Sequence, residues 1–140
     1  MKKRKNFIPI LIAAFLIVFI LGYLLYSDRP FETITADEIK EIQVYAVPPD
    51  KEAALSSAEI ESAVPILQNL KISRPGYKIF MAGTGGQSIT FTILKSDGSK
   101  IELSNFGNVL IEIDGRSYHA DYESAEALNE YANKVLKTGF

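Results

Sequence analysis

The chain has 140 residues, no cysteine and a formal net charge of −2. Without cysteine there is no disulfide scaffold, thiolate metal knuckle or thiol nucleophile, and the length leaves room for one domain of ordinary size. From Phe31 onward ten basic residues face sixteen acidic ones, a net charge of −6, which argues against nucleic acid as a partner and against tight adsorption to an anionic lipid surface.

The 47% hydrophobic fraction averages two unlike parts. Residues Phe7 to Tyr26, FIPILIAAFLIVFILGYLLY, form an uncharged run of twenty, which as a helix would cover about 30 Å, the thickness of a hydrocarbon core. Pro9 falls in its first turn, where a missing N–H costs little, and Tyr23 and Tyr26 fall at its far end, where amphipathic rings favour a membrane interface. Lys2, Lys3, Arg4 and Lys5 precede the run, so the positive-inside rule predicts a cytoplasmic N-terminus. A cleaved signal peptide shares this basic and apolar order, but the run is longer than a usual signal core and its exit, YLLYSDRP, lacks a small-x-small cleavage pattern. The sequence therefore predicts a cytoplasmic flank and transmembrane signal-anchor over residues 1–26, a linker over 27–33 and an extracytoplasmic domain over 34–140, in a single-pass protein of the cell membrane.

Within the domain, Thr35 and Glu38 form a first capping box before a strand in which Ile42, Val44 and Ala46 alternate with Gln43, Tyr45 and Val47. Pro48, Pro49 and Asp50 end that strand. Ser56 and Glu59 form a second box opening a helix over ~57 to 70 with Ile60, Val64, Leu67 and Leu70 on one face, and Pro65 is expected to kink it or confine its regular part. Arg74, Pro75 and Gly76 read as a turn. Period-two sets follow at Ile79 and Met81, at Ile89, Phe91 and Ile93, at Ile101 and Leu103, and at Val109, Ile111 and Ile113. Asp97-Gly98 and Asp114-Gly115 predict tight hairpins, and a short strand over Arg116 to Ala120 ends the series. Asp121, or Ser124 with its acidic neighbours, caps a last helix with Leu128, Tyr131 or Ala132, and Val135 buried. The order β-α-β-β-β-β-(β)-α predicts an α+β fold, a two-layer domain with an antiparallel sheet of four to six strands and two helices on one face.

Candidate chemistry is sparse. Gly83-Thr84-Gly85-Gly86-Gln87-Ser88 lacks the Lys of a phosphate loop and precedes a strand rather than a helix, so it reads as a hairpin loop suited to contacting a partner. His119 is the only histidine. Ser117 and Asp121 flank it at strand spacing, yet no oxyanion hole accompanies them, and one imidazole without a second ligand holds no metal. Thr90, Thr92, Glu102 and Glu112 alternate with the core positions and are expected on a water-facing sheet surface, with Asp114 near the two glutamates. Tyr45, Tyr77, Tyr118, Tyr122 and Tyr131 are residues of the kind interfaces favour. No catalytic residue, cofactor site or metal site emerges.

The phrase ITADEIKEIQVY, the helix ending LQNLKI, the hairpin IEIDGRSYHADY and the terminal EALNEYANKVL together resemble uncharacterised small domains that lie behind an N-terminal membrane anchor in Gram-positive bacteria. That resemblance implies an exported accessory or sensory domain. The resulting expectation is a non-enzymatic, membrane-tethered module that contacts a protein, peptide or envelope component through Gly83, Thr84, Gly85, Gly86, Thr90, Thr92, Glu102 and Glu112. The alternative is a regulatory or immunity-type subunit acting through its transmembrane helix, which exchanging residues 7–26 for an unrelated apolar helix would inactivate.

Overall fold

The computed structural model describes residues 7–75 and 86–138. The strand expected at Ile79 and Met81 and the candidate residues Gly83, Thr84 and Gly85 lie outside them. Helix α1 runs Ile8–Leu24 with no buried residue. Its 17 residues cover about 26 Å at the α-helical rise, and among the described residues no helix is long and apolar enough to cross a membrane. The helix is shorter than the expected twenty because Leu25 closes it and the chain then joins the sheet. Asp28 exchanges two backbone hydrogen bonds with Ile72, both 2.9 Å. Phe31 and Ile34, just beyond, are buried in the core.

After a 3-10 turn at Ala36–Glu38, seven strands follow among the described residues: β1 (Ile39–Val47), β2 (Lys51–Ala54), β3 (Ile72–Pro75), β4 (Ser88–Lys95), β5 (Lys100–Phe106), β6 (Leu110–Ile113) and β7 (Arg116–Ala120). They form one antiparallel sheet in the order β2-β1-β4-β5-β6-β7-β3. The α+β class and antiparallel sheet are as expected, but the strand count exceeds four to six. The two additions, β2 and β3, are the edges. At β2 the chain turns straight back after Pro48 and Pro49, with cis peptides at Val47–Pro48 and Pro48–Pro49 and Asp50 at φ 65°. At β3 the expected turn is instead a strand bearing Pro75, which an edge position tolerates because one row of its backbone groups pairs with no strand.

The two expected hairpins form: Gly98 lies at φ 88°, and Asp114 and Gly115 at 48° and 82°, the left-handed pair of a two-residue turn. Asp97 accepts from the Ser99 N–H and hydroxyl at 2.8 and 2.6 Å, and these bonds hold its carboxyl below the usual range.

Helices α2 (Ser57–Asn69) and α3 (Tyr122–Leu136) pack on one sheet face. In the α2 box Glu59 accepts the Ser56 N–H at 2.8 Å; that bond, then the Ser56 hydroxyl, lowers the Glu59 pKa. The helix passes Pro65 as a single element with Pro65 exposed. Asp121 caps α3 by accepting from Ser124 N–H at 3.1 Å, and Lys137 ends it at φ 52°. Ile42, Val44, Phe91, Ile93, Leu103 and Ile111 from the sheet meet Ile60, Leu67, Ala125 and Leu128 from the helices in one core. Tyr131 donates its hydroxyl to the Glu59 carbonyl, joining the two helices.

Candidate functional site

The sheet face away from the helices follows from register. Ile42, Val44 and Ala46 of β1 point into the core, so Glu41, Gln43, Tyr45 and Val47 point outward. Gln43, Tyr45 and Val47 are all exposed, Tyr45 by 42% and Val47 by 41%. An aromatic and an aliphatic side chain side by side in water favour contact with another molecule. Tyr45 donates its hydroxyl to Asp50 at 2.8 Å; this bond first, then desolvation and the charges of Asp50 and Glu52, raises its pKa.

Two shallow hollows meet at Gln43. One, about 140 Å³, is lined by Glu41, Gln43, Thr92, Leu94 and Lys100. The other, about 290 Å³, is lined by Gln43, Glu52, Ala53 and Ala54 beside the edge strand β2. Gln43 is oriented by donating to Glu41 at 2.7 Å, and its remaining amide capacity faces the hollows.

The expected site residues divide. Thr92 lies between Gln43 and Glu102 in register and lines the first hollow. Thr90 lies between Tyr45 and Ser104 and is tied to the Ser104 hydroxyl at 2.9 Å. Glu102 is exposed, and its N–H donates to Asp114 at 2.9 Å. Glu112 is half-buried and accepts from Ser117 Oγ at 3.2 Å. Its expected water-facing position is thus only partly realised, because the β5–β7 part of this face is more enclosed: Ser104 and Leu110 are buried there. The accessible surface is centred instead on β1, whose outward residues Glu41, Gln43 and Val47, with Glu52 and Lys100, were not among the candidates. Their sequence signal was the alternation that marked Ile42, Val44 and Ala46 as core.

Gly86 lies apart from the hollows and serves the backbone: a Cβ there would meet Gly107 Cα at 3.1 Å. Its neighbour Gln87 exchanges reciprocal amide hydrogen bonds of 2.9 Å with buried Asn133 of α3 and donates to the Pro48 carbonyl at 2.9 Å. This bracket fixes the start of β4 against α3 and the β1–β2 turn. Asn105, fully buried, likewise donates to Asn108 and to the Ala125 carbonyl, both at 2.9 Å. Such fully satisfied buried amides specify geometry.

Ser117, His119 and Asp121 do not converge on a reaction. Ser117 donates to Glu112, the Asp121 carboxylate caps α3, and His119 lies opposite Leu110 in register. Among the described residues no group of His, Asp and Glu could hold a metal ion. No known family, characterised relative or solved structure matches the chain.

Proposed function

We propose that the protein is a membrane-tethered extracytoplasmic binding module whose β1-centred sheet face receives an extended segment of another envelope protein. The observation that carries this reading is the run Gln43, Tyr45, Val47, exposed on one face above a closed core and flanked by two hollows. Glu41, Glu52 and Glu102 surround it against Lys100, a balance that favours a cationic segment. The amide, hydroxyl and carboxylate groups of this face suit non-covalent contact with such a segment.

The tether is read from α1, which is uncharged and has no buried residue in the fold. Its 17 residues stand at the short end of spanning lengths, about 17 to 25, and a bilayer meets a short span by thinning locally. The positive-inside rule then places the domain outside the cell, in keeping with the resemblance to anchored domains of Gram-positive bacteria.

The test uses the full chain in cells. A photoreactive residue at Thr92 is expected to capture one discrete protein, with capture lost on Tyr45→Lys, while the same probe at Glu123 on α3 captures nothing; identical patterns from both positions would refute the binding face. Because the chain has no other thiol, Ser96→Cys is expected to react with a membrane-impermeant maleimide on intact cells. Labelling only after lysis would refute the orientation.

A further inference from the structure

The two edges of the sheet differ in what lies beyond them. At β3 the chain closes the edge itself: Asp28 takes both outward backbone groups of Ile72 through two hydrogen bonds of 2.9 Å, and Pro75 carries no N–H. Beyond β2 there is no strand among the described residues. Register tells which of its groups face outward. Leu55 N–H donates to the Ile42 carbonyl at 2.9 Å, so Ile42, Val44 and Ala46 turn their backbone groups toward β2, where Ala53 and Lys51 answer Val44 and Ala46. Glu52 and Ala54, which alternate with them, therefore direct N–H and C=O away from β1. Among the described residues no turn, loop or bridge bonds to them there.

The side chains of Glu52 and Ala54 stand on the same face as Tyr45 and Gln43, their partners in register, and both residues are exposed. The Ala54 methyl fills little of the space beside Gln43, and the result is the hollow of about 290 Å³. An extended segment laid antiparallel along β2 puts the residue opposite Ala54 into this hollow, and the residue two further on beside the Glu52 carboxylate. Charge selects the occupant. Tyr45, opposite Glu52, also holds the Asp50 carboxylate at 2.8 Å, so two acids stand at this end of the edge. A second copy would set Glu52 opposite or diagonal to its own counterpart and bring together two domains of net charge −6. A basic side chain opposite Glu52 is matched instead. An edge of four residues that includes a lysine and a glutamate is a poor template for indiscriminate pairing, which leaves the choice of strand to that match.

We propose that β2 accepts a further strand, an extended cationic segment of a partner protein that pairs antiparallel with Glu52 and Ala54, with a bulky side chain beside Gln43 and a basic one against Glu52. The proposal rests on the reading of the β1-centred face as the binding surface and gives that surface a main-chain component. Backbone hydrogen bonds at the edge supply affinity, and the side chains over Gln43 and Glu52 supply specificity.

The experiment measures fluorescence anisotropy of the peptide TVLVRVT, labelled with fluorescein and amidated, against the full chain in detergent. Saturable binding is expected below about 1 mM. Methylating the backbone nitrogens of the leucine and the arginine removes the two donors that face β2 and is expected to weaken binding about tenfold. Methylating the valine between them, whose N–H faces away, is expected to leave binding unchanged. Ala54→Pro deletes an outward N–H that the fold itself does not use, and is expected to weaken binding several-fold; Glu52→Lys is expected to do the same and to reduce its salt dependence. Equal affinity of the peptide with and without the paired methyl groups, or no binding by the wild type at about 1 mM, overturns the edge site. In either case, capture from Thr92 that Tyr45→Lys still abolishes leaves the face reading standing, and absence of that capture overturns both. A wild-type dimer in sedimentation that Ala54→Pro dissociates would give the edge to a second copy and overturn the cationic segment.

Discussion

Truncating Asn133 tests how the accessible sheet face is held in place. Asn133 is 3% exposed, and its side chain makes four hydrogen bonds: two with Gln87, one to Asn129 at 2.7 Å and one from the Thr138 hydroxyl. At about 1 kcal/mol net per bond, Asn133→Ala forfeits about 4 kcal/mol. The better helix propensity of alanine returns about 0.6 kcal/mol, so the expected loss is about 3 kcal/mol. For a domain of this size that lowers Tm by about 12 °C, read from the near-ultraviolet dichroism of the tyrosines in the detergent-solubilised full chain. Gln87→Ala removes the reciprocal pair and the bond to Pro48, and the double variant is expected to cost about 1 to 2 kcal/mol less than the sum of the two. A loss below about 0.5 kcal/mol, or strict additivity, would show that the amide bracket contributes nothing and that the start of β4 is held by apolar packing alone.

Two further outcomes follow from the same geometry. Burial first, then the charge of Glu59, pushes Tyr131 up to about 12, so the folded state keeps a phenolic proton that the unfolded chain releases near its ordinary value of about 10. Stability from this group is complete below about pH 10 and is lost as pH rises toward 12; Tyr131→Phe is expected to cost about 1 kcal/mol at neutral pH and to flatten the alkaline limb, and an unaltered limb in denaturant titrations would contradict the assignment. Gly86→Ala places a methyl 3.1 Å from Gly107 Cα and is expected to destabilise by about 1 kcal/mol, with faster amide exchange at Gly107, whose N–H donates to the Gln87 carbonyl at 3.2 Å.

Local pattern was sufficient wherever one residue's chemistry decides the backbone. The Ser56–Glu59 box opened α2, Asp97-Gly98 and Asp114-Gly115 turned their hairpins, and alternation assigned Ile42, Phe91 and Leu103 to the core. It failed at the sheet edges: β2 reads KEAA and β3 reads ISRP, sequences without alternation that become strands because β1 and β7 offer unpaired backbone groups. It also placed Glu112 on open surface, since nothing local reports that Ser104 and Leu110 beside it are buried. The amide bracket was equally invisible, because Gln87 and Asn133 lie 46 residues apart.

By itself, then, the amino-acid order determined the hydrophobic division of the chain, the α+β class and the inward residue of each alternating pair, because these follow from periodicity and turn chemistry within a few residues. Only the tertiary structure decided which outward residues stay accessible and which strand edge the chain closes on itself through Asp28. Those outcomes depend on pairing between distant segments, and no local propensity carries that information.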